Sequence, residues 1–449
     1  MTPELLQFYA RPVPRYTSYP TAPHFSEAIG AESYEGWLAT LPAGASLSLY
    51  VHVPFCDTLC WFCGCHTKIT RRYEPVADYL GALKREIASI AGRVDGSCRV
   101  RHIHWGGGSP TILESDDLAG LAGTLFEGFT LDNGAEFAVE IDPRGLTVRQ
   151  LDALAASGLT RASIGIQDFD EQVQKAINRI QPYEETRDVI EGLRERGVAA
   201  INVELMYGLP GQNESGIATT IEKVMTLTPD RISLFGYAHV PWMKRHQEMI
   251  PQSSLPDVAA RYAQAEFAAR QLVEAGYIRI GLDHFARPDD PLAIAAAGGT
   301  MRRNFQGYTT DTADALLGFG ASAIGRLPQG FVQNHVPIAE YQRTVADGRM
   351  AAARGYAFKG DDLRRGALIE RLMCDLRLSW PGIEALIGDC ADLRRDSAEA
   401  LQQFEKDGLI ALANDGFKVT DEGRTFVRSI CAAFDAYLQG SAARHSMAV

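Results

Sequence analysis

Four of the eight cysteines of this chain lie in the ten-residue stretch CDTLCWFCGC, which runs from Cys56 to Cys65. Cys56, Cys60 and Cys63 have the spacing C-x3-C-x2-C and follow the apolar run SLSLYVHV, which predicts a β-strand. Three thiolates on one loop suit a [4Fe–4S] cluster with one open iron, since four thiolates normally close such a cluster. Cys65 either completes the set or has a separate role, and we favour the separate role.

Two other chemistries use closely spaced cysteines. A structural zinc site usually joins two separated pairs of ligands, and no second pair is present here. A redox C-x2-C motif, which Cys60 and Cys63 match, usually opens a helix in a thioredoxin-like fold, and that setting is lacking. We keep both as alternatives to the cluster. The other four cysteines are scattered singly and are interpreted as small apolar or surface residues.

Further candidate positions lie on the strands that follow. The segment HIHWGGGSPT ends a strand in three glycines, Gly106 to Gly108, which let the backbone approach a ligand closely. Glu140 lies in the apolar run AVEI, where a buried carboxylate costs free energy unless it is paired or contacts a ligand. Gln167 ends the run RASIGIQ, and Glu204 lies within INVELMY. Polar groups on successive strands predict one shared cavity.

The elements that must position these residues alternate from about residue 47 to 285. Strand patterns occur in LSLYVHV, HIHW, EFAVEI, RASIGI, INVELMY and RISLFGY, with a weaker one in IRIGL, and helical patterns such as PVADYLGALKREIASI separate them. The alternation predicts parallel βαβ units. It fits an open or closed (β/α) barrel or a doubly wound sheet, and does not decide between them. In a barrel, the loop after the first strand lies at the face where active sites assemble.

The pattern changes after about residue 360. DDLRRGALIERLMCDLRL and DSAEALQQFEKDG predict helices, LIALANDGFKVT predicts a hairpin that turns at Asn414–Asp415–Gly416, and DEGRTFVRSICAAFDAYL predicts a last helix. This order resembles a winged-helix module, but it lacks a dense basic face, so we favour a lid or packing role over DNA binding. We divide the chain into an N-terminal segment (1–45), a barrel (46–340) and a mostly helical, winged-helix-like C-terminal domain (341–449).

Composition limits the classes of partner. The 449 residues carry a formal net charge of −12, which argues against a general nucleic-acid or anionic-membrane binder. No apolar run approaches the roughly 18 residues of a membrane span. The start of the chain has no basic segment followed by an apolar core, so we predict a cytoplasmic protein whose thiols stay reduced.

The cysteine spacing after a first strand, with Phe62 just before the third cysteine, resembles the radical S-adenosylmethionine (SAM) superfamily. Within that superfamily, the chain resembles the oxygen-independent coproporphyrinogen III oxidases, and this resemblance covers nearly the whole chain. It is carried by YVHVPFCDTLCWFCGC, HWGGGSPT, VEIDPR, GIQDFDEQVQKAINR, LMYGLPGQ, YAHVP, GLDHFARPDD and NFQGYTT, together with RYTSYPTAPHF near the start. It implies a partial (β/α)6-type barrel of the radical SAM kind.

The resemblance also implies roles for individual residues. Cys56, Cys60 and Cys63 would bind the [4Fe–4S] cluster. A SAM molecule on the open iron would contact Tyr50, Gly107, Glu140 and Ile324. Members of this family hold a second SAM, whose neighbours here would be Phe62, Gly108, Ser109, Gln167, Arg179, Glu204 and Ala238. Glu204 stands where aspartate is common and Ser109 where threonine is common, and both keep the chemistry while changing the reach.

The reaction implied is the oxidative decarboxylation of two propionate side chains of coproporphyrinogen III to vinyl groups. It would need a reductant such as flavodoxin or ferredoxin, and we expect a monomer that binds no nucleic acid. The substrate carries four carboxylates, for which Arg15, His284, Arg287, Arg302 and Arg303 are candidate partners. The alternatives are a related radical SAM methyltransferase or cyclopropanase, a haem chaperone, and a winged-helix regulator with an iron–sulfur sensor.

Overall fold

The computed structural model describes residues 1–438 and Met447. Its strands are β1 Ser46–Val53, β2 Phe55–Cys56, β3 Lys68–Ile69, β4 Arg99–Gly107, β5 Leu131–Ile141, β6 Arg161–Gln167, β7 Ala200–Tyr207, β8 Arg231–Gly236, β9 Ile278–Ile280, β10 His284–Ala286, β11 Arg302–Asn304, β12 Gly307–Thr309, β13 Ala315–Phe319, β14 Ile324–Leu327, β15 Gly330–Asn334, β16 Ala352–Ala357, β17 Arg377–Ser379, β18 Ile410–Ala413 and β19 Gly416–Val419.

The helices alternate with these strands and then dominate the last third of the chain. They are α1 Pro3–Tyr9, α2 Ala31–Ala39, α3 Glu74–Ala91, α4 Ser115–Gly128, α5 Val148–Ala156, α6 Glu171–Ala176, α7 Tyr183–Glu195, α8 Glu214–Thr226, α9 Val258–Glu274, α10 Pro291–Ala297, α11 Ile338–Ala346, α12 Asp362–Asp375, α13 Trp380–Ile387, α14 Ala391–Lys406, α15 Asp421–Arg424 and α16 Val427–Cys431. Among the described residues, no helix is both long enough and apolar enough to cross a bilayer.

One twelve-stranded sheet forms the centre of the molecule. Its order is β16-β15-β14-β13-β1-β4-β5-β6-β7-β8-β10-β9. The run from β13 through β1 to β8 is parallel, and antiparallel strands extend both ends. The predicted partial barrel of parallel strands is confirmed, and the doubly wound alternative is wrong because β1 and β4 to β8 are neighbours in chain order. The weak IRIGL strand is β9, an antiparallel edge.

The helices that cover the sheet follow their sequence signals. On α3 the spaced apolar residues Val76, Leu80, Leu83 and Ile87 are all buried, as the three-to-four-residue period predicts. Helix α5 begins with the predicted capping box, in which Thr147 and Gln150 satisfy each other's backbone N–H groups. These helices bury the outer face of the sheet, so the other face is left to line the interior of the barrel.

The inward faces of the strands carry polar side chains that pair across the barrel. Arg231 and Asp290 approach to 2.7 Å, and Arg161 lies 3.1 Å from Glu136 and 3.7 Å from Asp290. Burying charge is costly unless it is paired in this way. These paired charges lie at the amino-terminal end of the interior.

A second hydrophobic core joins the two ends of the chain. Tyr9 and Tyr16 from the N-terminal segment pack with residues of α12 to α16, among them Leu372, Phe404 and Phe426. The N-terminal segment is therefore part of the C-terminal unit's core. The domain boundaries at residues 45 and 340 stay predictions.

The predicted single helix over 421–438 is wrong. The chain there forms α15, α16 and a short 3₁₀ turn, Ala432–Phe434. A Cβ at Gly423 would lie 1.9 Å from the carbonyl oxygen of Leu409, and Thr425 donates to Glu266 Oε1 at 2.8 Å. Packing against these neighbours turns the chain where its own pattern favours a continuous helix. The hairpin around Asn414 and Asp415 is confirmed as β18 and β19.

Candidate active site

The cysteine loop follows β1, at the carboxyl end of the parallel strands. Short strand β2, which ends at Cys56, pairs with β3, and Thr70 N–H donates to the Cys56 carbonyl at 3.0 Å. The loop is held from the other side by Asn178, whose Nδ2 donates to the Leu59 carbonyl at 2.7 Å, and by Gln247, whose Nε2 donates to the Phe62 carbonyl at 3.0 Å. The loop is therefore fixed at its start, middle and end.

A cavity of about 140 Å³ lies between this loop and the strand ends. It gathers most of the predicted site residues. Its lining includes Cys56, Cys60, Phe62, Cys63, Gly107, Gly108, Glu140, Gln167, Arg179 and Glu204. Cys65 also lines it and is exposed. Residues that the sequence separates by as many as 148 positions therefore meet at one place, as the shared-cavity prediction requires.

Two arginines point at one of the thiols. Arg144 Nη2 lies 3.5 Å and Arg179 Nη1 lies 3.6 Å from Cys60 Sγ, and both guanidinium groups pair with Asp142. Arg179 also donates to the Gly165 carbonyl at 2.7 Å, while its buried Nε has no hydrogen-bond partner among the described residues. The pair places positive charge beside the Cys60 sulfur.

The neighbouring thiols differ in acidity. Hydrogen bonding from Cys65 lowers the pKa of Cys63 to about 6, against the opposing effect of burial. Burial, helped by the nearby Cys63 and Cys60, raises the pKa of Cys56 to about 12. Cys56 therefore needs a bound cation to become a thiolate, as a coordinating metal provides.

The donor set fits a cluster better than a single ion. In the part of the chain that the structure describes, no three His, Cys, Asp or Glu side chains gather closely enough to hold one metal ion. The three cysteines instead line one cavity from different points of a loop. A [4Fe–4S] cluster takes its thiolates on separate irons and prefers these soft ligands. The residues present therefore fit the cluster.

The glycine segment is shaped by protein neighbours as well as by the cavity. Gly107 has φ +110°, and a Cβ there would lie 2.5 Å from the His52 ring. At Gly106 a Cβ would lie 2.7 Å from the Glu140 carboxylate, and at Gly108 it would lie 2.4 Å from the Phe55 carbonyl oxygen. Larger residues would displace Glu140 and the cysteine loop, so the glycines shape the site.

Glu140 is held as a carboxylate. His104 Nε2 lies 3.1 Å from its Oε1, and Gly107 N–H donates to Oε2 at 3.2 Å. Burial opposes ionisation, but these contacts outweigh it and lower the pKa of Glu140. Glu140 therefore presents a negative charge to the cavity, which suits an ammonium group.

Gln167 and Glu204 are two polar groups of the lining whose hydrogen bonding is incomplete. Gln167 has φ +70°, and its amide makes no hydrogen bond among the described residues although the side chain is buried. Glu204 accepts from Ser163 Oγ at 2.9 Å. Burial and the nearby Glu140 raise the pKa of Glu204 to about 7. Strained backbone and unpaired buried groups both favour a ligand at this position.

Four predicted residues lie outside this lining, namely Tyr50, Ser109, Ala238 and Ile324. Tyr50 stacks on His104, with ring centroids 6.0 Å apart, and His104 in turn contacts Glu140. Ser109 Oγ bonds Thr111 Oγ1 at 2.9 Å. Ile324 packs against an aromatic cluster that includes Phe331. The ligand contacts proposed for these four residues stay predictions.

Ala238 lines a second cavity, of about 850 Å³, at the carboxyl ends of β7 and β8. Three of the five candidate carboxylate partners, Arg15, His284 and Arg303, line it as well. The other two do not: Arg287 pairs with Asp289 at the surface, and Arg302 pairs with Glu370 at 2.9 Å.

Sequence reasoning missed several members of the site. Asp142 and Arg144 lie in the motif VEIDPR, where two charges directly after a buried strand were an available signal. Arg261 and Arg428 line the large cavity from α9 and α16. Gln247, which is fully buried and anchors the cysteine loop, lies in a segment without any periodic pattern, so no local signal marks it.

Comparison with known proteins gives matches along the whole chain. A family model described as the radical SAM superfamily matches residues 50–224, and one described as the HemN C-terminal domain matches residues 359–426. An oxygen-independent coproporphyrinogen III oxidase of Bradyrhizobium diazoefficiens is 50% identical over 437 residues, which cover 97% of each chain. One of Paracoccus denitrificans is 44% identical over 447 residues, covering 99% of this chain and 98% of the relative.

A solved structure also matches this chain closely in three dimensions. The coproporphyrinogen III oxidase HemN of Escherichia coli, described as a radical SAM enzyme, superposes with a TM-score of 0.90 at 39% sequence identity. The match covers 94% of this chain and 98% of that one.

Proposed function

Because the chain belongs to the family of oxygen-independent coproporphyrinogen III oxidases, which are radical SAM enzymes, we propose that its two cavities divide the work of that reaction. The small cavity holds the [4Fe–4S] cluster and SAM, and the large cavity holds coproporphyrinogen III. Both open at the end of β7, where Glu204 lines the first and Tyr207 lines the second. The observation that carries this assignment is the excess of cations in the large cavity.

Arg303 is the clearest of these cations. Its guanidinium carbon lies 4.3 Å from the centre of the Tyr308 ring, and its buried Nε and Nη1 have no hydrogen-bond partner among the described residues. Unmade hydrogen bonds of a buried charged group are costly. A propionate carboxylate accepts charge-assisted hydrogen bonds from a guanidinium group, and it would satisfy one of these two atoms.

The surrounding arginines crowd one another. Burial, together with the nearby Arg15 and Arg303, lowers the pKa of Arg428 to about 9. Arg428 donates to the carbonyl oxygens of Pro14 and Met447 at 2.9 and 3.1 Å, so it links three segments around the cavity. Burial also lowers the pKa of Arg261. A ligand with four carboxylates would relieve this repulsion more than haem, which carries two, and this supports a polyanionic substrate.

When bound, the cluster and SAM would supply the radical chemistry by which each propionate loses its carboxyl group as carbon dioxide, with one electron passing from the substrate to an acceptor. The chain's own residues would hold and orient the cluster, SAM and the substrate. In this assignment Cys56, Cys60 and Cys63 bind the cluster, and Glu140 accepts hydrogen bonds from the SAM amino group. Buried walls exclude water and other hydrogen donors.

An anaerobic assay tests the assignment. The iron- and sulfide-reconstituted protein receives SAM, a reductant, coproporphyrinogen III and cell extract as a source of electron acceptor. We expect protoporphyrinogen IX together with 5′-deoxyadenosine. Cleavage of SAM while the porphyrinogen survives would reject the substrate and favour a methyltransferase or cyclopropanase. Binding of the porphyrinogen without SAM cleavage, although the cluster is intact, would favour a haem chaperone.

A pair of variants tests the assignment of the large cavity to the substrate. Arg302 and Arg303 are adjacent in β11, but only Arg303 lines the large cavity, since Arg302 pairs with Glu370. We expect Arg303→Gln to weaken binding of coproporphyrin III, a stable oxidised probe, by about tenfold, the effect of losing about 1.4 kcal/mol. Arg302→Gln should change the affinity less than twofold. Equal effects of the two substitutions would reject the large cavity as the site.

Three further proposals follow from the family. We propose that a flavodoxin or ferredoxin supplies the electron, that the protein acts in the cytoplasm, and that it is a monomer. That SAM binds at two positions is a fourth proposal, and the residues around the second SAM would be Phe62, Gly108, Ser109, Gln167, Arg179, Glu204 and Ala238.

A further inference from the structure

Two segments beside the cysteine loop are cationic in an otherwise acidic chain. Residues 63–73 contain Lys68, Arg71 and Arg72, and residues 241–247 contain Lys244 and Arg245, while neither segment contains an aspartate or glutamate. The whole chain has a formal net charge of −12. We call these five cations the basic rim.

Four of the five cations in the basic rim are exposed, and the rim carries unpaired charge. Lys68, Arg71 and Arg72 are exposed, and none of the rim residues forms an ion pair among the residues that the structure describes. Other exposed arginines of the chain do pair with acids, as Arg93 does with Glu35. A set of like charges without partners destabilises the free protein slightly and is available to an acidic partner.

The rim is attached directly to the candidate cluster ligands. Strand β3 contains Lys68, and its register places Ile69 opposite Cys56. Lys68 N–H donates to the Pro54 carbonyl at 2.7 Å, and Lys244 Nζ donates to the Cys65 carbonyl at 2.8 Å. The charged surface therefore begins one hydrogen bond away from the cysteine loop.

Exposed apolar side chains lie among the cations. Ile69 is 37% exposed, and Trp242 and Met243, which precede Lys244, are 50% and 64% exposed. An apolar centre with a charged surround is the usual composition of a protein interface. The rim is thus suited to a protein partner more than to a small anion.

The segment is also held in place. Tyr73, at its end, bonds Asp117 and accepts from Glu114 N–H at 3.0 Å, while Thr70 Oγ1 bridges to the backbone of Arg72. A partner would therefore bind a surface that is already ordered, and little conformational entropy would be lost.

From this placement we propose that the basic rim is the docking surface for a small acidic one-electron carrier of the flavodoxin or ferredoxin class. The carrier would lose one electron and the cluster would gain one. The proposal rests on the proposed function, because it takes the three cysteines as cluster ligands. Charge complementarity would mainly raise the association rate and make it sensitive to salt.

The test compares two triple variants with the same change of net charge. Lys68→Glu, Arg71→Glu and Arg72→Glu alter the rim, and Arg270→Glu, Arg377→Glu and Lys418→Glu alter exposed cations elsewhere. The probe is an acidic flavodoxin in its hydroquinone form. Its binding is measured by calorimetry on protein with and without the cluster, at 50 and 300 mM salt. Its electron transfer is followed by stopped-flow absorbance of the cluster.

We expect wild-type affinity to fall with salt, and the rim variant to lose at least tenfold in affinity and in the electron-transfer rate. The matched variant should stay within twofold of wild type. With dithionite, a small reductant that needs no docking surface, SAM cleavage by the rim variant should equal that of wild type. Equal losses in both triple variants, or no loss in the rim variant, would overturn the proposal.

The dithionite control separates this proposal from the function on which it rests. If wild-type protein fails to cleave SAM with dithionite, the cluster assignment fails, whatever flavodoxin does. If the rim variant does not fold or load its cluster, the milder double variant Arg71→Gln and Arg72→Gln is used, and an affinity loss below twofold then counts against docking. Binding of RNA or anionic vesicles in preference to flavodoxin would also reject it.

Discussion

The guanidinium of Arg179 makes several contacts that a different cation could not make together. It bonds both oxygens of Asp142, donates to the Gly165 carbonyl and lies 3.6 Å from Cys60 Sγ. Because the guanidinium group is planar and forked, these contacts depend on its shape as well as on its charge. The side chain thereby connects β5, β6 and the cysteine loop.

We therefore expect Arg179→Lys to reduce SAM cleavage at least tenfold, a loss of about 1.4 kcal/mol or more in transition-state stabilisation. Lysine keeps the charge but leaves part of Asp142 unpaired. The measurement is 5′-deoxyadenosine formation, together with the iron content and the EPR spectrum of the reduced cluster. Arg187→Lys, at a partly exposed residue of α7, is the control. Unchanged cleavage and an unchanged EPR spectrum in Arg179→Lys would contradict the role.

Single residues also limit what a sequence motif can reveal. Arg302 and Arg303 have equal status in the motif RRNFQGY, yet one pairs with Glu370 and the other lines the large cavity. Successive side chains of a strand point to opposite faces. Which face meets the substrate depends on where β11 lies, and no local pattern contains that information.

At the scale of elements, a buried carboxylate joins four parts of the barrel. Glu86 on α3 accepts from Gly320 N–H, from Asn334 Nδ2 on β15 and from the Tyr341 hydroxyl on α11, each at 2.7 Å. Burial nevertheless raises its pKa to about 7. The ordinary value for glutamate is near 4.5, so the folded protein holds this proton more tightly than the unfolded chain does.

Stability should therefore depend on pH through Glu86. Its contribution is fully present below about pH 4.5, falls as the unfolded chain loses the proton, and is lost once pH passes about 7, a total of about 3 kcal/mol. Glu86→Gln does not titrate. We expect the unfolding free energy of wild type, relative to this variant, to decline between pH 5 and 8 in urea denaturation. The exposed substitution Glu399→Gln should give a curve parallel to wild type, and a parallel curve for Glu86→Gln would be evidence against the prediction.

Element boundaries were predictable where short-range signals decide them. The capping box at Thr147 and the turn at Asn414–Asp415 lie as predicted, because both depend on bonds within a few residues. The last helix was not predictable, since contacts from Gly423 to Leu409 and from Thr425 to Glu266 divide it. Tertiary packing overrides helix propensity there.

At the scale of the whole molecule, the N-terminal segment belongs to the C-terminal core. Tyr9 is 1% exposed, packs against Phe404 and Phe426, and bonds Asp407 through its hydroxyl. Arg428 and Ser429 donate to backbone carbonyls of residues 9 to 14. The C-terminal unit is therefore completed by the start of the chain.

We expect Tyr9→Ala to destabilise the C-terminal unit by about 3 kcal/mol or more, as large-to-small core changes do, and Tyr9→Phe by only about 1 kcal/mol. Trp380, buried in the same core, reports unfolding by its fluorescence. The neighbouring Phe8 is 56% exposed, so Phe8→Ala should have little effect. A Tyr9→Ala protein as stable as wild type would show that the segment is not part of this core.

The sequence by itself determined the chemistry and most of the architecture. The cysteine spacing, the glycine segment and the strand–helix alternation are local patterns. Each depends on residues that are close in sequence and on backbone geometry. Only the tertiary structure decided which cations share a cavity, that Gln247 anchors the cysteine loop, and that Tyr9 joins a core near residue 430. These depend on side-chain direction and on contacts between distant segments, which are settled when the elements pack.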